Sequence, residues 1–167
     1  LIPLEDMGYF YDVIHVNPGG ALKYSVEESN KIAAEMMKKI PYLNRLVVMG
    51  SSDIIDNSTY KTSTSTIMGV LNNEDDRDMS KQTIDTAIEA TTEINLENKN
   101  INAYAFNQPP IRGLSPAGGT TFYLQATQPI SIRDIRDDSV KICNHLQKNF
   151  RAVRKCSQFY EVDTPEL

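Results

Sequence analysis

The chain has 167 residues, of which 40% are hydrophobic and 23% are charged, with a formal net charge of −5. This length suits one domain or two small ones, and an acidic chain with dispersed basic residues is a poor nucleic-acid binder. The sequence holds no apolar run of about 18 residues, the length that a membrane-spanning helix requires. Because it starts at Leu1 and ends on TPEL, we expect it to be part of a longer protein.

The first predicted elements are a strand, a turn and a helix. Along Gly8–Val16 the side chains alternate as in a strand, so that Val13 and His15 share one face. Asp12 falls on the opposite, apolar face, an exception that an edge position of the strand would explain. After the NPGG turn, Ser25 is predicted to cap a helix whose apolar residues recur at helical spacing.

The middle of the chain predicts two further strands and a second helix. Arg45–Met49 and Thr64–Leu71 are rich in β-formers, and the long polar segment Gly50–Ser63 between them is predicted to be a loop. The acidic stretch NNEDDRD lacks the glycine and the terminal glutamate of a calcium loop, so we interpret it as a solvated connection. A helix capped by Ser80 follows.

The last strand of the first part is Ile101–Phe106, which ends at a double proline. Small side chains, Ala103 and Ala105, suit a face packed closely beneath a helix. Tyr104 and Phe106 lie on the opposite face with Asn102. The spacing alone gives about equal weight to two interpretations of Tyr104 and Phe106. They are either ordinary strand aromatics or part of a surface that contacts an apolar partner.

The element order strand, helix, strand, strand, helix, strand predicts a ferredoxin-like βαββαβ subdomain over residues 1–113. Its antiparallel sheet would carry both helices on one face and leave the other face open. Residues 114–167 predict a βαβ half-unit of a second such subdomain, with strands Thr120–Ala126 and Val153–Val162 around a helix capped by Ser131. The predicted fold class is therefore α+β. The open face would carry Tyr11, Val13, His15, Asn102, Tyr104 and Phe106.

The two cysteines, Cys143 and Cys156, have no CxxC spacing. In an oxidising compartment they could form a disulfide between the last helix and the next strand. We expect free thiols instead, because cysteine is also a common small buried residue.

Catalytic and metal-binding patterns are missing from the sequence. His15 and His145 do not stand with cysteines or acidic residues at metal-ligand spacing, and neither GxSxG nor a phosphate loop occurs. We therefore expect no enzymatic activity, no metal and no cofactor.

Three stretches carry a resemblance to a known family. The opening IPLEDMGYFYDVIHVNPGG resembles the segment that follows the seventh transmembrane helix of resistance-nodulation-division (RND) efflux pumps. AFNQPPIRGL is similar to the Asn-x-Pro-x-Ile stretch of that family, through Asn107, Pro109 and Ile111. The closing DTPEL looks like the segment where the family's chain leaves this region. The resemblance covers the whole chain in order and fits best the hydrophobe/amphiphile (multidrug) branch.

The resemblance implies that residues 1–113 are the first pore subdomain of the second periplasmic loop and 114–167 half of the next. The full pump would be a homotrimeric, proton-driven antiporter of the bacterial inner membrane that conducts small amphiphilic substrates. The remainder of the transporter chain, a periplasmic adaptor and an outer-membrane channel would be its partners. The substrate-binding positions that the resemblance implies are Val13, His15, Asn102, Tyr104, Phe106, Gln108 and Ser157.

The polar segment after Gly50 corresponds in this resemblance to the loop that switches between two drug pockets. Phenylalanine is missing from it here, and Ile54, Ile55 and Tyr60 stand in its place beside Asp53. We expect this segment to be mobile, with Ile54 and Ile55 near the mouth of a cleft. The alternative is that both isoleucines fold back onto the sheet as a plug.

A second function stays open, a free-standing ferredoxin-like regulatory domain that binds a small ligand on its open sheet. That interpretation predicts a complete second domain or a symmetric dimer.

Overall fold

The computed structural model describes residues 6–16, 22–55, 58–59, 61–108, 122–153, 156 and 158. The chain divides into two units, Leu1–Thr120 and Thr121–Leu167. The elements of the first unit are β1 (Tyr9–Val16), α1 (Leu22–Lys39), β2 (Leu43–Gly50), β3 (Ser52–Asp53), β4 (Ser58–Thr59), β5 (Thr64–Leu71), a short 3-10 turn (Glu74–Asp76), α2 (Ile84–Glu97) and β6 (Ile101–Phe106). The second unit contains α3 (Ile132–Asn149).

The first unit is built on a four-stranded sheet in the order β2-β5-β1-β6, and every neighbouring pair is antiparallel. Helix α1 packs on β1, β2 and β5, α2 packs on β1 and β6, and the two helices contact one another. Both helices therefore lie on one face. This α+β arrangement confirms the predicted ferredoxin-like βαββαβ fold, with β3 and β4 as a small hairpin inserted between β2 and β5.

The core lies between the sheet and the two helices. Phe10 and Ile14 of β1 are fully buried there, together with Met36 of α1 and Ile94 of α2. Gly69 of β5 is the register partner of Phe10, and a Cβ at this position would lie 2.6 Å from Cε1 of the phenylalanine ring. The ring thus occupies the space that a side chain at position 69 would need.

Asp12 was expected to lie on an edge strand, and this explanation is wrong. Strand β1 is paired on both sides, and Asp12 is fully buried on the helix-facing side. Asn95 of α2 donates a hydrogen bond from Nδ2 to Asp12 Oδ1 at 2.9 Å. The Asp12 carboxylate is tolerated in the core because the Asn95 side chain of α2 is hydrogen-bonded to it there.

Both predicted helix starts in the first unit are wrong by about one turn. Helix α1 begins at Leu22, so Ser25 lies inside it, where its hydroxyl donates to the carbonyls of Leu22 and Thr62. Helix α2 is capped by Thr83, which exchanges hydrogen bonds with Thr86. A serine can satisfy a carbonyl or a loop carboxylate as well as a helix amide, so its type alone does not fix the boundary.

The second unit forms the predicted helix, and its N-cap is confirmed because Ser131 Oγ accepts from the amide of Asp134 at 3.1 Å. The flanking strands are not formed at residues 122–126 or 153. A strand requires a neighbour for its backbone groups, and the described part of this unit supplies none. The rest of the predicted strand Val153–Val162 is described only at positions 156 and 158, which are also irregular.

Free cysteines were expected, and this prediction is wrong, because Cys143 and Cys156 form a disulfide. The cysteine of α3 is 7% exposed, and the chain that leaves the helix returns until the two Cα atoms are 5.0 Å apart. This separation lies within the usual range for a disulfide.

Candidate functional site

The open face of the sheet, the face opposite α1 and α2, collects most of the predicted binding residues. The register places Val13 directly opposite Tyr104, and His15 directly opposite Asn102. Phe106 lies opposite Tyr11 on the same face. Because directly opposed residues of antiparallel strands have adjacent side chains, these positions are neighbours on one face of β1 and β6, although Val13 and Phe106 are buried there.

An aromatic cluster, Tyr9, Tyr11, Tyr104 and Phe106, covers one end of this face. The rings of Tyr104 and Phe106 stack at 5.3 Å between centroids, and Tyr11 lies 6.1 Å from Phe106. Tyr9 meets Tyr11 edge-on at 5.9 Å. Phe106 is only 4% exposed, whereas the three tyrosines are half-buried. The phenylalanine thus supports the tyrosine rings, which form the accessible surface.

Gln108 joins this cluster although it follows the end of β6. Tyr9 donates a hydrogen bond from its hydroxyl to Gln108 Oε1 at 2.9 Å. Burial raises the pKa of Tyr104 above its ordinary value, so this phenol stays neutral at physiological pH. The cluster therefore presents rings and neutral polar groups. Of the other predicted positions, Ser157 and Tyr60 lie outside the described residues.

The opposite end of the open face is covered by the β3 arm, which we define as Ser51–Ile55. Thr66 of β5 donates to the carbonyl of Ser52 at 2.8 Å. The buried Asp53 lies 3.3 Å from Nε2 of His15, and its other carboxylate oxygen accepts from the amide of Ile55 at 2.9 Å. The segment predicted as an irregular loop is therefore partly a hairpin. Two side chains of the sheet, Thr66 and His15, hold it against the open face.

The remaining residues of the predicted switch segment have separate positions. A Cβ at Gly50 would lie 3.0 Å from Val26 Cγ2, so this glycine permits close packing of α1. Ser51 has a φ of +54°, a left-handed conformation that turns the chain out of β2. Ile54 and Ile55 form the turn that follows β3, and both are half-buried. Whether this segment moves stays a prediction.

Sequence reasoning missed two contacts of the candidate site. Tyr9 was not among the predicted binding positions. The alternation of side chains along β1 places it on the same face as Tyr11 and Val13, so the sequence could have indicated it. The pairing of His15 with Asp53 joins residues far apart in the sequence, and no local pattern indicates it. Among the residues described in the structure, no group of three or more His, Cys, Asp or Glu side chains could hold a metal ion.

Within the described ranges, no helix has both the length and the apolar character needed to cross a membrane. Comparison with known protein families finds no family model that matches the chain, and comparison with curated proteins finds no match either.

Proposed function

We propose that the chain is the periplasmic pore portion of a resistance-nodulation-division efflux transporter and that its open face belongs to the path of apolar or amphiphilic substrates. The observation that carries this proposal is the aromatic cluster on a sheet face that neither α1 nor α2 covers. Stacked, half-buried rings give a ligand apolar contact area without a fixed set of hydrogen bonds. A surface of this kind suits compounds that share amphiphilic character rather than one functional group.

Two further observations support the proposal. The three sequence stretches that resemble the family lie at the start, in the middle and at the end of the chain. The ferredoxin-like fold is the one that the resemblance implies for residues 1–113. The disulfide between Cys143 and Cys156 suits an oxidising compartment such as the periplasm. In this proposal the chain binds and conducts substrates without covalent change and without a cofactor. The homotrimer, the adaptor, the outer-membrane channel and the inner-membrane location belong to the proposed full transporter.

The first test reads the coding sequence on both sides of the chain. The proposal expects hydrophobic spans of about 20 residues before and after it, long enough to cross the bilayer. A reading frame without such spans would contradict the transporter assignment. Tight binding of one polar metabolite by the chain alone would then favour a small-ligand regulatory domain.

The second test measures resistance in cells that produce the full-length protein and lack other pumps. Tyr104→Ala and Tyr11→Ala each remove one ring of the cluster, and we expect resistance to bulky amphiphiles to fall about two- to tenfold, the worth of one aromatic contact. Tyr24→Ala on α1 is the matched control, since this tyrosine is 38% exposed on a helix. Unchanged resistance at normal protein levels in both cluster variants would contradict the proposed site.

A further inference from the structure

The second unit buries little apolar surface in the residues that the structure describes. Cys143 is the only buried side chain among them, at 7% exposure. Ile135, Ile142 and Leu146 lie on the same side of α3 at helical spacing, but they are only half-buried. In the first unit, by contrast, α1 and α2 both contribute completely buried side chains to one core. Helix α3 therefore obtains little stability from apolar packing.

Local interactions do not replace this packing. Helix α3 has 18 residues, a Ser131 N-cap and an ion pair of Lys141 with Asp138 that is exposed to solvent. Exposed ion pairs contribute little to stability. Most of the stability of a protein helix comes from its packing against other elements, and a short helix without such packing is only marginally stable in water. A further restraint is needed to keep α3 folded.

The disulfide supplies such a restraint at the buried point of α3. Cys143 lies on the same side of the helix as the half-buried residues, and its bridge to Cys156 closes a loop with a sequence separation of 13 residues. A cross-link of this kind removes conformations from the unfolded chain and so stabilises the folded one. Small units with little core depend on this contribution more than large ones do.

We propose that the bridge between Cys143 and Cys156 is a redox switch for the second unit. Helix α3 stays folded while the bridge is closed, and it unfolds locally when a dithiol reductant opens the bridge. The first unit contains no cysteine, so its fold does not respond to the reductant. The inference goes beyond the proposed function, because it concerns the second unit and requires neither transport nor a substrate.

The switch opens by two successive thiol–disulfide exchanges with the dithiol. A thiolate of the reductant attacks Sγ of Cys156, because Cys156 is partly exposed whereas Cys143 is buried. The S–S bond breaks, Cys143 leaves as a thiolate that takes up a proton, and a mixed disulfide forms on Cys156. The second thiolate of the reductant then displaces Cys156, which is protonated in turn. The cysteines gain the two electrons and two protons of the dithiol, which becomes a disulfide itself.

The test measures hydrogen exchange of the full chain by mass spectrometry, with dithiothreitol as the reductant. Oxidised and reduced samples exchange under the same native conditions, and all samples are reduced after quenching so that the same peptides are compared. Peptides of α3 report the switch, and peptides of β1 and β5 are the internal reference. The matched control combines Cys143→Ala with Cys156→Ala, which removes the bridge without a reductant.

We expect the amides of α3 to exchange about a hundredfold faster after reduction, because closing a loop of about 15 residues favours the folded state by roughly that factor. The double alanine variant should match the reduced chain, and dithiothreitol should not change it further. The amides of β1 and β5 should exchange equally in all samples. Alkylation with iodoacetamide should modify both cysteines of the reduced chain and neither cysteine of the oxidised one.

Four results would overturn the switch. In the first, the bridge resists dithiothreitol in the native chain. In the second, α3 keeps its protection both after reduction and in the double alanine variant. In the third, the amides of α3 exchange freely even in the oxidised chain, so that the bridge does not stabilise the helix. In the fourth, exchange accelerates equally in β1 and β5, which marks general unfolding rather than a local switch.

Discussion

Arg77 holds Asp6 in a two-pronged ion pair, with Nη1 3.0 Å from Oδ2 and Nη2 3.2 Å from Oδ1. The arginine side chain is completely buried, and Nη1 also donates to the carbonyl of Gln82. Asp6 accepts further hydrogen bonds from the amides of Gly8 and Ile84. A single carboxylate therefore joins the segment before β1 to the first turn of α2.

The loss of this carboxylate should destabilise the first unit. Asp6→Asn leaves a buried guanidinium without its counter-charge, and we expect the free energy of unfolding to fall by about 2–3 kcal/mol. Urea denaturation followed by circular dichroism measures the loss. The control is Asp85→Asn, which removes an exposed carboxylate from the same turn of α2 and should change little. Equal stability of the two variants would show that the ion pair contributes nothing net.

The same pair predicts how stability depends on pH. Burial raises the pKa of Asp6, but the hydrogen bonds from Arg77, Ile84 and Gly8 and the arginine charge outweigh it and hold the pKa below its ordinary value. Since the folded-state pKa lies below the unfolded one, the stabilisation is complete above about pH 4 and is lost as pH falls through the folded-state pKa. Urea midpoints between pH 6 and pH 2 should fall less steeply in Asp6→Asn than in the parent. Parallel curves would contradict this assignment.

The contact between Phe10 and Gly69 should make position 69 intolerant of any side chain. Gly69→Ala places a Cβ 2.6 Å from the ring, and we expect a loss of about 1–3 kcal/mol from overpacking. Gly50→Ala is the matched comparison, because the new Cβ would meet only side-chain tips of Val26 and the exposed Leu22, at 3.0 and 3.2 Å. That variant should lose clearly less stability. Phe10→Leu should recover part of the loss in Gly69→Ala, and additive losses would contradict the proposed clash.

The two stacked rings at the end of β6 should differ in what they contribute. Phe106 is 4% exposed, so Phe106→Ala should cost about 3 kcal/mol, a value typical of the core. Tyr104 is half-buried, so Tyr104→Ala should cost clearly less stability, and under the proposed function it should mainly weaken substrate contact. Thermal or urea denaturation of the chain compares the variants. A larger loss for Tyr104→Ala would reverse the assigned roles of the two rings.

The sequence placed Tyr104 and Phe106 together on the open face, but their burial separates them, since only Phe106 is buried. Alternation along β1 and β6 was sufficient to place Val13, His15 and Tyr104 on one face, because the direction of a strand side chain is set by local backbone geometry. Burial on that face depends on neighbours from other strands. Phe106 is shielded in part by Tyr11 of β1, a contact between strands that no single stretch encodes.

Long-range polar contacts explain most of the remaining differences. Asp12 interrupts an apolar strand face in the sequence, and its hydrogen-bond partner in the core, Asn95, lies 83 residues away. The attachment of Asp53 to His15 likewise depends on how β3 leaves the sheet at Ser51. Apart from the β3–β4 hairpin, the element order of the first unit was predictable because it follows from periodicity and turns. The polar contacts between residues that come together only in the folded chain were not predictable from the sequence.

The bridge between Cys143 and Cys156 closes a covalent ring that includes the end of α3 and the residues after it. Lys148 and Arg151 lie inside this ring and are exposed, so trypsin can cut there. A single cut within the ring breaks the backbone but leaves both pieces attached through sulfur. The nicked chain keeps its full mass in a denaturing gel without reductant, and two fragments separate only after a thiol is added.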